Sequence, residues 1–252
     1  MRKTLLSVAL LSAFAVPAIS QAEEAASPHS ISYNVGLFSQ YIFRGLTQTD
    51  SHPALQGGVD YGHASGFYAG AWASNISWLT DGGTYDSSSI EIDVYGGYGA
   101  ELGETGIGYD VGVLQYIYPG DPKTATGKAN RAETTELYAG VSYGWVSAKY
   151  SYSVTDTFGF TDSDGSWYAE VGVDVPLGGT GMTASAHVGR QEFDGSGNDA
   201  SNYTDWKLGL AKAWDNGVEV GGYYTDTNNP FDVAGHAAVG DKEFTLYVTK
   251  SF

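Results

Sequence analysis

Twelve stretches of this chain alternate apolar and polar residues, and the connections joining them are by turns short and long. The stretches run over 31–44, 54–63, 66–77, 89–100, 106–118, 133–143, 146–155, 166–176, 181–193, 203–213, 217–225 and 242–252. Only Ala64 and Ser65 join the second to the third, and only Gly144 and Trp145 the sixth to the seventh. Residues 102–105, 177–180 and 214–216 close three further pairs just as tightly. The remaining six connections, such as 119–132 and 226–241, are longer and rich in Gly, Asp, Asn, Ser and Thr. Tight turns at one rim and long loops at the other predict an all-β fold, an antiparallel transmembrane β-barrel of about twelve strands.

Alternation alone does not separate a barrel in lipid from a soluble sandwich. Side chains alternate across a strand, so Val146, Ala148, Tyr150, Tyr152 and Val154 share one face while Ser147, Lys149, Ser151, Ser153 and Thr155 share the other. The same holds for Ile90, Ile92 and Val94 against Glu91 and Asp93, and for Ala169, Val171, Val173 and Val175 against Glu170 and Asp174. A sandwich would turn the apolar face inward. Three features favour lipid outside. The stretches are about ten residues long, the reach of a tilted membrane strand and longer than the roughly five or six of soluble sheets. Aromatics gather near segment ends, with Tyr41, Phe43, Trp78, Tyr116, Tyr118, Trp145, Trp167, Trp206, Trp214, Tyr223 and Tyr224 expected in two interfacial girdles. The final stretch keeps Phe244, Leu246, Val248 and Phe252 in one parity, like the assembly signal through which outer-membrane strands engage the barrel-assembly machinery. Neither face of 66–77 is clearly wet, so its facing is left open; its small Gly and Ala suit an inward-folded loop or close strand packing.

The N-terminus reads as an export signal over 1–22: Arg2 and Lys3, an apolar run over 5–16, then Ser20-Gln21-Ala22. The run is too short to cross roughly 30 Å of hydrocarbon. Its removal would leave 23–252 as the barrel and move the net charge from −17 to −19, since residues 1–22 hold two basic and no acidic groups. A charge this negative argues against nucleic acid, whose phosphates demand a basic face. Cys is absent, so no thiol or disulfide chemistry is available.

Tyr41-Ile-Phe-Arg44-Gly45-Leu-Thr-Gln48, then Pro53-Ala-Leu-Gln56-Gly57-Gly58, then Gly66-Phe-Tyr-Ala-Gly70-Ala-Trp72-Ala-Ser74-Asn75 form a recognisable series. Tyr95-Gly-Gly-Tyr98 and Tyr116-Ile-Tyr118-Pro119-Gly120 extend it. Together they resemble the TorF porin family, also called the Gcw_chp family. The resemblance implies a proteobacterial outer-membrane barrel with channel function, and brings no catalytic or binding residue with it.

With the apolar parity facing lipid, the opposite parity lines the lumen. It includes Gln56, Asp60, Glu91, Asp93, Asp110, Glu136, Lys149, Glu170, Asp174, His187, Lys207 and Glu219. Eight of these twelve are acidic and two are basic, so a narrow pore would favour cations or neutral polar solutes over anions. A second reading stands beside it: the groups pair across an interior filled by the barrel's own side chains. Arg44 has the polar parity of its stretch and lies toward the outer mouth, where it serves either as a constriction or as a structural ion pair.

Other chemistry is thinly supported. Ser185 and His187 share a strand face, but no nucleophile-elbow motif or third orienting group accompanies them, so no enzyme is expected. His29, His52, His63, His187 and His236 lack metal-ligand spacing, and no cofactor is expected. Asp162-Ser-Asp164-Gly165 and 194–199 look like fragments of calcium loops without the closing Glu, so a calcium bridge to lipopolysaccharide is a minor alternative. The expected function is passive diffusion of small hydrophilic solutes across the outer membrane, with lipid and lipopolysaccharide as surroundings. The competing reading is a non-conducting surface barrel that binds a ligand or partner through its long loops.

Overall fold

The computed structural model describes residues 27–123, 131–230 and 239–252. The export signal expected over 1–22 and His236 lie outside the described residues. The strands are β1 (His29–Phe38), β2 (Ala54–His63), β3 (Phe67–Asn75), β4 (Ile90–Glu101), β5 (Ile107–Ile117) and β6 (Thr134–Tyr143), followed by β7 (Val146–Ser153), β8 (Trp167–Pro176), β9 (Met182–Glu192), β10 (Tyr203–Ala213), β11 (Val218–Thr227) and β12 (Glu243–Ser251). They close into a single antiparallel barrel, each beside its sequence neighbours. At the seam β12 returns to β1, with Asn34 opposite Ser251 and Phe38 opposite Tyr247. The N–H of Phe252 donates to the Tyr33 carbonyl at 2.9 Å, so the last residue completes the ladder. An even strand number is what lets an antiparallel ring close without an exposed edge.

A ten-residue strand is roughly 33 Å long. Barrel closure requires a tilt of roughly 40°, which leaves roughly 25 Å of height, the thickness of a hydrocarbon layer. Every barrel strand carries a large apolar side chain exposed on the outside, among them Ile31, Leu55, Phe67, Val94, Leu137 and Val188; Val111 is 48% and Leu208 55% exposed. The partners in alternation turn inward. The parity of β3, open from sequence, is settled by its neighbours: Trp72 stands across from Asp93 and Tyr68 across from Gly97, and both rings line the interior.

The first stretch departs from expectation. Its strand ends at Phe38 instead of continuing to Arg44, because residues 39–53 fold into the barrel. Ser39 N–H donates to the Leu246 carbonyl (2.8 Å), and Ile42–Phe43 then pairs with Leu46–Thr47 in a small hairpin. Its tip is Arg44 (φ 46) and Gly45 (φ 80). A two-residue turn with both central φ values positive matches the twist of its flanking strands, and Gly meets that demand without strain. The N–H groups of Ser77 and Trp78, at the start of α1 (Trp78–Asp81), both donate to the Gln48 carbonyl, which ties the second long loop down onto the first. Tyr85–Ser87 pairs with Asp121–Pro122 above them. The buried cluster therefore sits in the long-loop half: Phe38, Leu114, Tyr116 and Tyr138 from the wall meet Tyr41, Leu79, Tyr85 and Tyr118 from the loops.

The girdle expectation needs correcting for this reason. Tyr41, Tyr116, Tyr118 and Tyr223 are buried, and Phe43 and Trp78 pack against that cluster. Trp145, Trp206, Trp214 and Tyr224 do remain on the outside. The outer rings are completed by residues chosen by parity: Phe67 against Tyr98 (centroids 5.1 Å) near the turn end, and Tyr150 against Trp167 (5.8 Å) near the loop end.

Candidate functional site: a plugged, acid-lined lumen

Inward glycines and tyrosines build the lumen wall together. Tyr95 stands directly across from Gly70, Tyr68 from Gly97, Tyr138 from Gly112 and Tyr247 from Gly221. A Cβ on Gly70 would meet the Tyr95 ring at 2.5 Å, and one on Gly221 would meet Tyr247 Cζ at 2.5 Å. The missing side chain is what lets each ring lie flat along the wall. Laid flat, the rings carry their hydroxyls to carboxylates. Tyr68 donates to Asp110 (2.8 Å), Tyr247 to Glu219 (2.9 Å), Tyr168 to Asp205 (2.9 Å) and Tyr95 to Asp60. The high content of Gly (35) and Tyr (19) has this arrangement as one physical cause.

The inserted hairpin divides the lumen. Arg44, with its side chain only 7% exposed, reaches from the tip to the far wall and holds Glu136 through both guanidinium nitrogens (2.9 and 2.7 Å). Nη1 also donates to Gln191 Oε1 (3.0 Å). Its guanidinium lies over the rings of Tyr168 (4.3 Å) and Phe43 (4.8 Å). Burial opposes the Arg44 charge most strongly, but the Glu136 carboxylate, its hydrogen bond and the neighbouring Tyr116 and Tyr168 together outweigh it and hold the pKa well above its ordinary value. Behind the tip, the Tyr41 hydroxyl donates to Glu91 (2.8 Å), and burial with the Glu91 and Asp93 charges pushes that hydroxyl well up. Phe43 packs edge-on against Tyr116 (5.7 Å) and Phe158 (5.7 Å).

Below the hairpin the interior opens. A chamber of about 310 Å³ lies under Phe43, Arg44 and Gly45. A cup of about 610 Å³ continues from it to the turn end; Asp110, Lys149, Glu170, His187 and Lys207 border both. On the β2–β5 side the charges are all acidic: Asp60, Glu91, Asp93 and Asp110. The β6–β10 side is mixed. Lys149 stands across from Glu170, and His187 from Lys207. Lys149 Nζ lies over the Tyr138 ring (4.8 Å) and Lys207 Nζ over Tyr223 (5.3 Å).

The sequence-derived residues therefore fall into three places. Glu91 and Glu136 are buried outside the chamber lining, whereas Gln56 and Asp93 are buried and border the chamber. Asp60, Asp110, Lys149, Glu170, Asp174, His187 and Lys207 border the open chamber or cup, and Glu219 faces inward under Tyr247. Arg44 belongs to the plug, so its place follows from a loop fold and not from strand parity. Of the two readings of Arg44, the ion pair is the one seen, with Glu136 as its partner. Sequence reasoning missed Asp205 and Gln191, although Asp205 shares parity with Lys207 and Gln191 with His187. Ser185 and His187 do not form a catalytic pair: the His187 nitrogens face Glu170 (3.3 Å) and Asp205 (3.0 Å). The calcium-like fragments tie themselves together, with Asn198 donating to the carbonyls of Thr161 (3.1 Å) and Asp194 (2.6 Å). Among the described residues no three metal-ligating side chains converge.

Among known structures the fold is similar to the NanC porin, with a TM-score of 0.56, 12% identity, 88% of this chain and 99% of that chain covered. It is also similar to the KdgM porin in complex with disordered oligogalacturonate (0.52, 10%, 88% and 98%). An outer membrane channel from Pseudomonas putida F1 superposes with 0.50, at 13% identity over 93% of this chain and 100% of that one. At such identities the likeness establishes the barrel architecture. No curated protein sequence matches the chain. The model of the family described as "Bacterial protein of unknown function (Gcw_chp)" matches residues 22–252, and the chain belongs to that family.

Proposed function

We propose that the protein is an outer-membrane channel for passive diffusion of small hydrophilic solutes, cation-preferring, with the 39–53 hairpin as its constriction. The observation that carries this reading is the pairing of an apolar exterior on every strand with a charged, water-accessible cup inside. A soluble protein has no use for such an exterior, because apolar surface of this extent is driven out of water. The acid-only β2–β5 side sets the preference: in a low-dielectric wall, unbalanced carboxylates raise the local concentration of cations. The finer assignment to the TorF porins agrees with this function. Export through residues 1–22, insertion by the barrel-assembly machinery acting on the strand that ends at Phe252, and contact with lipopolysaccharide complete the proposal.

The filled loop-end half supports a second reading, a surface barrel that does not conduct and binds through its long loops. Conductance across a planar bilayer decides between them. Cation-selective channels from the refolded protein support the first reading. A sealed bilayer supports the second, and clear anion preference overturns the electrostatic argument.

A further inference from the structure

The acidic groups around the chamber are not equivalent. Glu136 is neutralised by Arg44, Glu91 accepts from Tyr41, and Asp60 accepts from Tyr95. Asp93 stands apart: it is 3% exposed and borders the chamber, and its Oδ1 has no hydrogen-bond donor. On β2, Gln56 is 4% exposed and borders the same chamber, and its Oε1 also lacks a donor. A buried acceptor without a donor destabilises the fold, the more so when it is charged. Both residues border one chamber, and a ligand that brings N–H groups and positive charge would answer their unpaired acceptors.

The walls select among cations. Asp93 lies in register between Trp72 on β3 and Tyr116 on β5, and the Tyr41 ring meets Trp72 edge-on at 5.4 Å. Aromatic faces attract organic cations. A metal ion would want several anionic ligands converging on one point, which the described residues do not supply. A primary ammonium carries three donors, enough for Asp93 and Gln56 together, whereas a quaternary ammonium carries none. A chamber of about 310 Å³ suits a molecule of a few heavy atoms.

We propose that this chamber is a binding site for small primary-ammonium cations, with Asp93 as the charge partner, Gln56 as a second acceptor and Trp72 with Tyr41 as its aromatic wall. This deepens the channel reading by naming a solute class, and rests on it only for the route by which the solute arrives. The test is titration of the purified protein in detergent micelles with n-propylammonium, n-propanol and propionate, followed by calorimetry. Saturable binding of propylammonium alone, weakened at least tenfold in Asp93→Asn, is the expected result. No saturation with propylammonium, equal binding of propanol or propionate, or undiminished binding in a folded Asp93→Asn variant overturns the site. Should that variant fail to refold, the wild-type discrimination among the three probes decides alone. Because micelle binding needs no conduction, a silent bilayer beside intact binding removes the channel and keeps the site. Conductance without selective binding does the reverse.

Discussion

Replacing Arg44 with Ala tests whether the hairpin is a plug held by one ion pair. Glu136 is 1% exposed on its side chain, and Arg44 meets it through two hydrogen bonds. Removing one member of a buried pair costs about 3–5 kcal/mol, because the remaining charge is left without compensation. At about 1.4 kcal/mol per factor of ten, the ratio of docked to released hairpin should fall by roughly 10²–10³·⁵. The cost falls on the hairpin because the barrel ladder does not depend on it: β6 keeps its pairing to β5 and β7 whatever Arg44 does. Single-channel conductance in planar bilayers should therefore rise several-fold, while the heat-modifiable gel shift of the folded barrel persists. Adding Glu136→Gln removes the orphaned charge, so the docked hairpin and thermal stability should both recover in large part, and conductance should fall back toward the wild-type value. Arg44→Lys keeps the charge and loses the bidentate geometry, and should fall between. Wild-type conductance in Arg44→Ala would refute the reasoning, because the plug would then be held by the remaining contacts of 39–53.

Further outcomes are expected at the glycines, the apolar belt and the chamber. Gly112→Val places methyl groups where the Tyr138 ring lies and should lower stability by about 1–3 kcal/mol, read from the temperature at which the gel shift is lost. Gly140→Ala has nothing nearer than 3.5 Å to its added carbon and should change that temperature little. Leu208→Arg puts a charge on the exposed apolar belt and should cost about 2–4 kcal/mol, visible as reduced folding yield into vesicles, whereas an inward charge at Gly209 should leave insertion intact if its neighbours Ser185 and Tyr223 give way. Neutralising Asp60 and Asp110 together as Asn should move the reversal potential under a salt gradient toward zero, since both border the chamber.

Much of the wall was legible from the chain alone, because strand parity is a local property. Glu91, Asp93, Lys149, Glu170 and His187 face inward as their alternation requires. The same rule reaches further residues. Tyr116 is in phase with Asp110, and Tyr223 with Glu219, so both belonged to the lumen, yet grouping aromatics by their distance from a segment end placed them in the girdles. Asp205 was likewise in phase with Lys207. For β3 parity gave no answer, since both faces mix rings with small residues, and only pairing against β4 chose between them.

Sequence by itself determined the barrel: period-two alternation over stretches of about ten residues, joined alternately by tight turns and long loops, has one closed antiparallel solution when the apolar face meets lipid. Tertiary structure alone decided that residues 39–53 enter the lumen. The first residues of that segment continue the alternation of β1 and so read as strand, but what seats it are contacts distant in sequence: Arg44 with Glu136, Tyr41 with Glu91 and Gln48 with the start of α1. A pattern repeats along the chain and can be read there, whereas a plug depends on which walls the closed barrel brings within reach.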